Sequence, residues 1–176
     1  MAIEVVDYDD AWPGNAEAAC AELRDSLPGL LTAIEHIGST AVPGLAAKPI
    51  IDLMAAAADL AQVTARDETL RLLGYQHRDT GMPGRLFYRR DKNGKRAYHL
   101  HIVPAGTWPT RNELLLRDYL RTHPADAQRY GALKRDLAVR HEASAGYTWA
   151  KTELIQELTD RARAARGLPP VPAWEE

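Results

Sequence analysis

His99 and His101 sit two residues apart in the β-rich run from Arg96 to Val103. On a strand that spacing turns both imidazoles to one side. Such a pair can supply two metal nitrogens, or one ligand and one general base. A histidine satisfied within a core is the ordinary alternative. Asp52 interrupts the apolar run Ile50-Ile51-Asp52-Leu53-Met54. A carboxylate there is costly unless it is paired, hydrogen-bonded or bound to metal. The plain reading has it accepting hydrogen bonds from the turn over residues 38–41. Gly38-Ser39-Thr40 makes that turn directly after a strand-like segment. It can offer backbone N–H groups and a hydroxyl to a phosphate, or be simply a turn. Lys48, just before the Asp52 run, can neutralise a phosphate or pair with Asp52, or be a solvated loop lysine.

Those residues need elements to hold them. Residues 9–27 read as a helix capped by Asp9 or Asp10, with Ala16, Ala19, Cys20, Leu23 and Leu27 on one apolar stripe. Cys20 lies on that stripe and reads as core. Residues 30–37 and 50–54 read as strands, the second placing Ile50, Asp52 and Met54 on one face and Ile51 and Leu53 on the other. Residues 59–73 read as one helix, capped by Asp59 and stopped by Gly74. Residues 85–91 and 96–103 flank Lys92-Asn93-Gly94-Lys95, a hairpin signal because a type I′ turn needs positive φ at both central positions. Beyond Pro109 the chain turns helical to about residue 166, divided at Pro124, with Gly146 near the start of a last helix. The fold class expected is α+β: a mixed sheet of about four strands covered by helices, with a helical C-terminal third. Residues 1–167 make one domain and residues 168–176 a Pro-rich extended tail. Trp12, Trp108, Trp149 and Trp174 show no regular spacing and read as core or docking residues.

The 176 residues carry 22 Lys plus Arg against 24 Asp plus Glu, a net charge of −2. Bulk-charge binding to nucleic acid is therefore not expected. One cysteine excludes a disulfide framework and a multi-cysteine zinc site. With no long apolar run and no secretory-type leader, the expectation is a cytoplasmic protein without a membrane partner. Charge is uneven. Residues 1–35 hold eight acids and one base, whereas residues 78–101 hold seven bases and two acids. That basic ribbon, with Arg85 and Arg96, suits a small anionic ligand, or merely keeps an exposed hairpin in water.

The stretch IEHIGSTAVPGLAAKPIIDL, residues 34–53, closely resembles the signature of the GrpB family. Arg85 with Arg96 to Val103 is similar to that family's second block. Segments 116–120, Tyr130 to Lys134, and Tyr147-Thr148 with Lys151 look like its helical blocks. The resemblance covers roughly residues 3–165 and implies the nucleotidyltransferase superfamily fold. That superfamily places Gly-Ser about a dozen residues before an Asp-x-Asp pair, with a third carboxylate on a neighbouring strand. Gly38-Ser39 and Asp52 match. The second carboxylate position is Met54, and His99 or His101 takes the third. By this resemblance Ser39, Asp52, His99 and His101 are the catalytic candidates, and Gly38, Ser39, Thr40, Lys48, Arg85 and Arg96 contact phosphate. Asp52, His99 and His101 would hold a divalent metal: Mn, Zn or Ni better than Mg. The function implied is binding of a nucleotide or phosphorylated small molecule, with metal-dependent nucleotidyl transfer. The alternative is a non-catalytic nucleotide- or partner-binding module, as in fusions to dephospho-coenzyme A kinase.

Overall fold

The computed structural model describes residues 4–140 and 145–173, the side chains of 145–150 excepted. Helix α1 spans Trp12–Ser26. It begins three residues later than expected, because Asp9 spends its carboxylate on the Ala11 N–H (2.8 Å) in a turn ahead of the helix. Strand β1 covers Leu31–Ile37 and β2 covers Ile51–Ala57. The expected single helix over 59–73 is two, α2 (Leu60–Thr64) and α3 (Asp67–Leu72). Asp59 does cap the first, accepting from Ala61 N–H. The break places Asp67 in the first turn of α3, where its carboxylate takes the Tyr88 hydroxyl at 2.5 Å.

A fifth strand, β3 (Tyr75–His77), precedes β4 (Leu86–Lys92) and β5 (Lys95–Pro104). Three residues are too few to show an alternation, so the sheet has one strand more than the sequence pattern reveals. Between β4 and β5, Asn93 (φ 53°) and Gly94 (φ 73°) both occupy the positive-φ region that the type I′ turn requires. A short 3-10 segment over Ala105–Thr110 leads to α4 (Asn112–Thr122), α5 (Pro124–Arg140) and α6 (Ala145–Ala164).

The sheet order is β1-β2-β5-β4-β3. β2 and β5 pair in parallel, and the other neighbours are antiparallel. The mixed sheet bears out the expected class. Alternation along β2 assigns its two faces as expected. Ile51, Leu53, Ala55 and Ala57 join α1, Val63 of α2 and Leu70 of α3 in one core. Met54 packs on the other face with Ile37, Val103 and Leu114. Cys20 and Trp12 are buried in the first core, and Trp108 packs partly buried against the second face. A third cluster joins α4, α5 and α6 to Val42 and Leu45 of the loop after β1. The tail is docked: Arg163 Nε donates to Pro169 C=O (2.6 Å), and Gln156 Nε2 donates to Val171 C=O (2.9 Å). Trp174 lies outside the described residues, as do the side chains of Tyr147, Thr148 and Trp149.

Candidate functional site

The parallel pairing of β2 with β5 sets Asp52 opposite His99 and Met54 opposite His101. Residues paired across neighbouring strands share a face. His99 Nδ1 therefore reaches Asp52 Oδ1 at 3.0 Å. An ionised carboxylate only accepts, so Nδ1–H donates, and in the neutral ring Nε2 is then the acceptor. His101 is held otherwise. Arg85 Nη1 lies 3.2 Å from its Nδ1, and a guanidinium can only donate, so this nitrogen accepts. Desolvation first, and the Arg85 charge with it, outweighs the pull of Asp52 and holds His101 below the usual histidine range. Arg85 also donates to Glu113 of α4 at 2.9 Å. The ring of Phe87 packs against both histidines, with centroids 5.1 and 5.0 Å away.

Above Asp52 passes the Gly38 turn. Gly38 has φ 74° and ψ −173°, a region open essentially to glycine alone. A Cβ built there would lie 2.7 Å from Asp52 Oδ2. The turn's own bonds run from Ala41 N–H to Gly38 C=O and from Val42 N–H to Ser39 C=O, and use neither the Ser39 nor the Thr40 amide. Thr40 is buried at 1% exposure, and its hydroxyl meets His36 Nε2 at 2.8 Å. Burial, aided by Arg121, brings the His36 imidazole down to about 4. The described hydrogen bond of Asp52 goes to His99, not to this turn.

These residues open onto a cavity of about 450 Å³, within the range of small-molecule sites. Gly38, Ser39, Thr40, Lys48, Asp52 and His99 line it, as do His101, Arg85 and Arg96. Every residue singled out in the sequence for a site is thus brought to one cavity. Met54 is not among its lining residues; it is fully buried in the core behind. Arg96 arrives there by an irregularity. β4–β5 register pairs Arg90 with Tyr98 but Asp91 with Arg96, so Ala97 is an extra residue. Tyr98 belongs to the first core, while Arg96, which strict alternation would put beside it, reaches the cavity.

The cavity's other wall is helical and was not among the expected site residues. Arg117, Tyr130, Lys134 and Lys151 come from α4, α5 and α6. A signal for Lys134 does exist in the sequence. The buried positions of α5 include Ala127, Tyr130, Lys134 and Leu137, a 3-4-3 spacing that reads as an apolar stripe with a lysine inside it. Arg117, 7% exposed, is engaged structurally: Nη1 donates to His36 C=O at 3.0 Å and Nη2 meets Asp118 at 2.8 Å. In all, six basic residues line the cavity against two acidic ones, Asp52 and Glu113.

Asp52, His99 and His101 meet, but not as a ligand set. Among the described residues no group of three or more His, Cys, Asp or Glu is placed to hold a metal ion. Asp52 and His99 are bonded to each other, and His101 faces a guanidinium.

A family model described as GrpB protein matches residues 2–161. UPF0157 protein YqkA of Bacillus subtilis is 34% identical over 163 residues, covering 92% of this chain and 47% of YqkA. UPF0157 protein PA4798 of Pseudomonas aeruginosa is 39% identical, covering 93% of this chain and 69% of the relative. The chain thus spans about half the length of the first relative and about two thirds of the second. Among solved structures, the conserved protein GrpB from Enterococcus faecalis superposes with a TM-score of 0.85 at 33% identity, over 93% of this chain and 99% of that one. Cid1, a poly(U) polymerase, superposes at 0.50 with 20% identity over 74% of this chain and 42% of its own, a likeness of fold alone. Among the described residues no helix is long and apolar enough to cross a membrane.

Proposed function

The chain belongs to the GrpB family, and from that premise we propose that its cavity binds a nucleotide or another phosphate-bearing small molecule. The observation that carries this is the charge of the lining, six basic side chains against two acidic, in a chain whose net charge is −2. Like charges gathered around a cavity repel one another, and a multiply charged anion relieves that repulsion. Desolvation first, then nearby Lys151 and Arg96, lowers the Lys48 amine from the ordinary lysine value. Lys and Arg supply here the neutralisation that metal ions supply in other phosphoryl-transfer sites.

A thermal-shift screen with nucleotides, sugar phosphates and their dephosphorylated counterparts tests the reading. A bound phosphate compound at a hundred times its Kd adds about 2.7 kcal/mol, several degrees for a chain of this length. Lys48→Ala or Arg96→Ala is expected to weaken binding about tenfold or more, through loss of a charged hydrogen bond of about 1.5–3 kcal/mol. Adding Mg, Mn, Ni or Zn is expected to change the affinity no more than about twofold, since the cations are the protein's own. Nucleosides that shift the protein as far as nucleotides do would sink the proposal and leave the partner-binding module in front.

A second reading, transfer chemistry in the same cavity, is favoured by the Asp52–His99 contact. Asp52 fixes the tautomer of the neutral His99 ring, in which Nε2 is the acceptor. Nε2 would take the proton from an acceptor hydroxyl as its oxygen attacks the α-phosphorus of a nucleoside triphosphate and pyrophosphate leaves with the bonding electrons. Ser39, from the turn on the same cavity, would steady the phosphates. Pyrophosphate release measured with a panel of hydroxyl acceptors is expected to drop about a hundredfold or more in His99→Gln. Equal rates in variant and wild type would leave binding alone.

A further inference from the structure

Lys134 is the most deeply buried basic side chain on the cavity, at 2% exposure. Its Nζ has no hydrogen-bond partner among the described residues. It lies 4.5 Å from the centroid of the Tyr130 ring, and Lys151 Nζ of α6 lies 5.8 Å from the same centroid. The charges that act on it from the surrounding elements are Lys151 from α6, Asp52 from β2, Lys48 from the loop before β2, and Arg135 from α5 itself. Asp52 is the one attractive charge among these, and it is already bonded to His99. A buried polar group without a partner costs free energy in either protonation state, and more when charged. A buried amine so placed on a cavity describes a site that an anion completes.

Resting on the phosphate-binding reading above, we infer that Lys134 is the residue that makes this cavity selective for dianionic phosphate. A phosphate group entering beside it supplies both the acceptor oxygens and the negative charge that the amine lacks, and the amine takes up a proton as the ligand binds. A monoanionic phosphodiester or a neutral group offers less charge to stabilise that proton and binds more weakly.

The sign follows from the amine's free state. Burial first, then Lys151, lowers Lys134 to about 6. Above that pH it is mostly neutral in the empty protein, and a dianion restores the charged form. Binding at pH 8 therefore takes up close to one proton, and affinity falls about tenfold for each pH unit between about 7 and 8.5. In that window the phosphate monoester of a nucleotide, whose second ionisation lies near 6, is already a dianion and contributes no slope of its own. Below about pH 6 the amine is charged beforehand and the slope reverses, because the ligand's phosphate takes up its own second proton and the dianion is lost.

Calorimetry on the whole chain, with inorganic phosphate, adenosine 5′-monophosphate, adenosine 5′-triphosphate and the methyl ester of the monophosphate as probes, reads this directly. Titrations at pH 8 in two buffers of different ionisation heat give the number of protons taken up. The expected result is a value near one for the dianionic probes, and binding of the methyl ester about tenfold weaker or more. In Lys134→Met, which keeps the stem and loses the amine, uptake falls to near zero and the pH slope flattens. Lys134→Arg, charged throughout, also takes up no proton and has no slope. Dianionic probes that bind the wild type without proton uptake would overturn the role of Lys134 and leave the phosphate reading intact. So would a Lys134→Met variant that keeps the full slope, since the proton would then go elsewhere. Failure of every phosphate probe to bind at pH 6 would remove both.

Discussion

Gly38→Ala is expected to lower the thermal midpoint by roughly 4–10 °C and to abolish any stabilisation by phosphate ligands. Two costs combine. The backbone at φ 74° and ψ −173° is strained for any residue with a Cβ, by about 1–3 kcal/mol. The added methyl would also stand 2.7 Å from Asp52 Oδ2, closer than real Cβ contacts come. Either the turn lifts or the carboxylate rotates away from His99, and both changes reshape the cavity. The two costs can be separated. In Gly38→Ala with Asp52→Ala the close approach is gone and only the backbone strain remains. The double variant should therefore be more stable than the sum of the single losses by about 1 kcal/mol. A Gly38→Ala midpoint within about 1 °C of the wild type would refute the account of this turn.

Leu158→Ala is expected to cost about 2–5 kcal/mol in urea unfolding, a large share of a typical total of about 5–15 kcal/mol. Leu158 is fully buried. It belongs to the cluster that joins α6 to Leu120 of α4, Tyr130 of α5, and Val42 and Leu45 of the loop after β1. That cluster attaches the wall carrying Lys134 and Lys151 to the loop carrying Lys48. Ligand affinity should therefore fall along with stability, whereas a cavity in the α1 face of the sheet should cost stability with less effect on binding. Loss of less than about 1 kcal/mol would mean that the helical wall does not depend on this cluster.

What the sequence discloses and what it hides divide along one physical line. Asp52, His99 and His101 are readable because a strand's two-residue period depends on nothing distant. The hairpin at Asn93-Gly94 and the cap at Asp59 are readable because turn and cap chemistry is local. The helical wall is hidden because its residues meet the strands only through docking. Lys151 sits about one hundred positions beyond Lys48 in the chain. Arg96 is aimed by the extra residue Ala97, which no periodicity announces. The break between α2 and α3 suits a hydrogen bond from Tyr88, on a strand not yet reached in sequence order. The resemblance to the GrpB family identified the lineage and the fold. It did not reveal that Asp52 and His99 engage each other instead of standing open as metal ligands.

The parallel seam between β2 and β5 has a consequence for the order in which the chain can fold. β1 and β2 form an antiparallel pair from adjacent segments, but β2's other edge is completed only by β5. Roughly forty residues separate the end of β2 from the start of β5, which at about 5–20 residues per second is roughly 2–8 s of synthesis. During that interval the apolar strand Ile51-Asp52-Leu53-Met54 presents an open edge, the kind that pairs with other chains. Asp52 is then the one charged side chain on an otherwise apolar strand. A charge on such an open edge disfavours edge-to-edge pairing between chains, and Asp52 is the residue of this strand that supplies it.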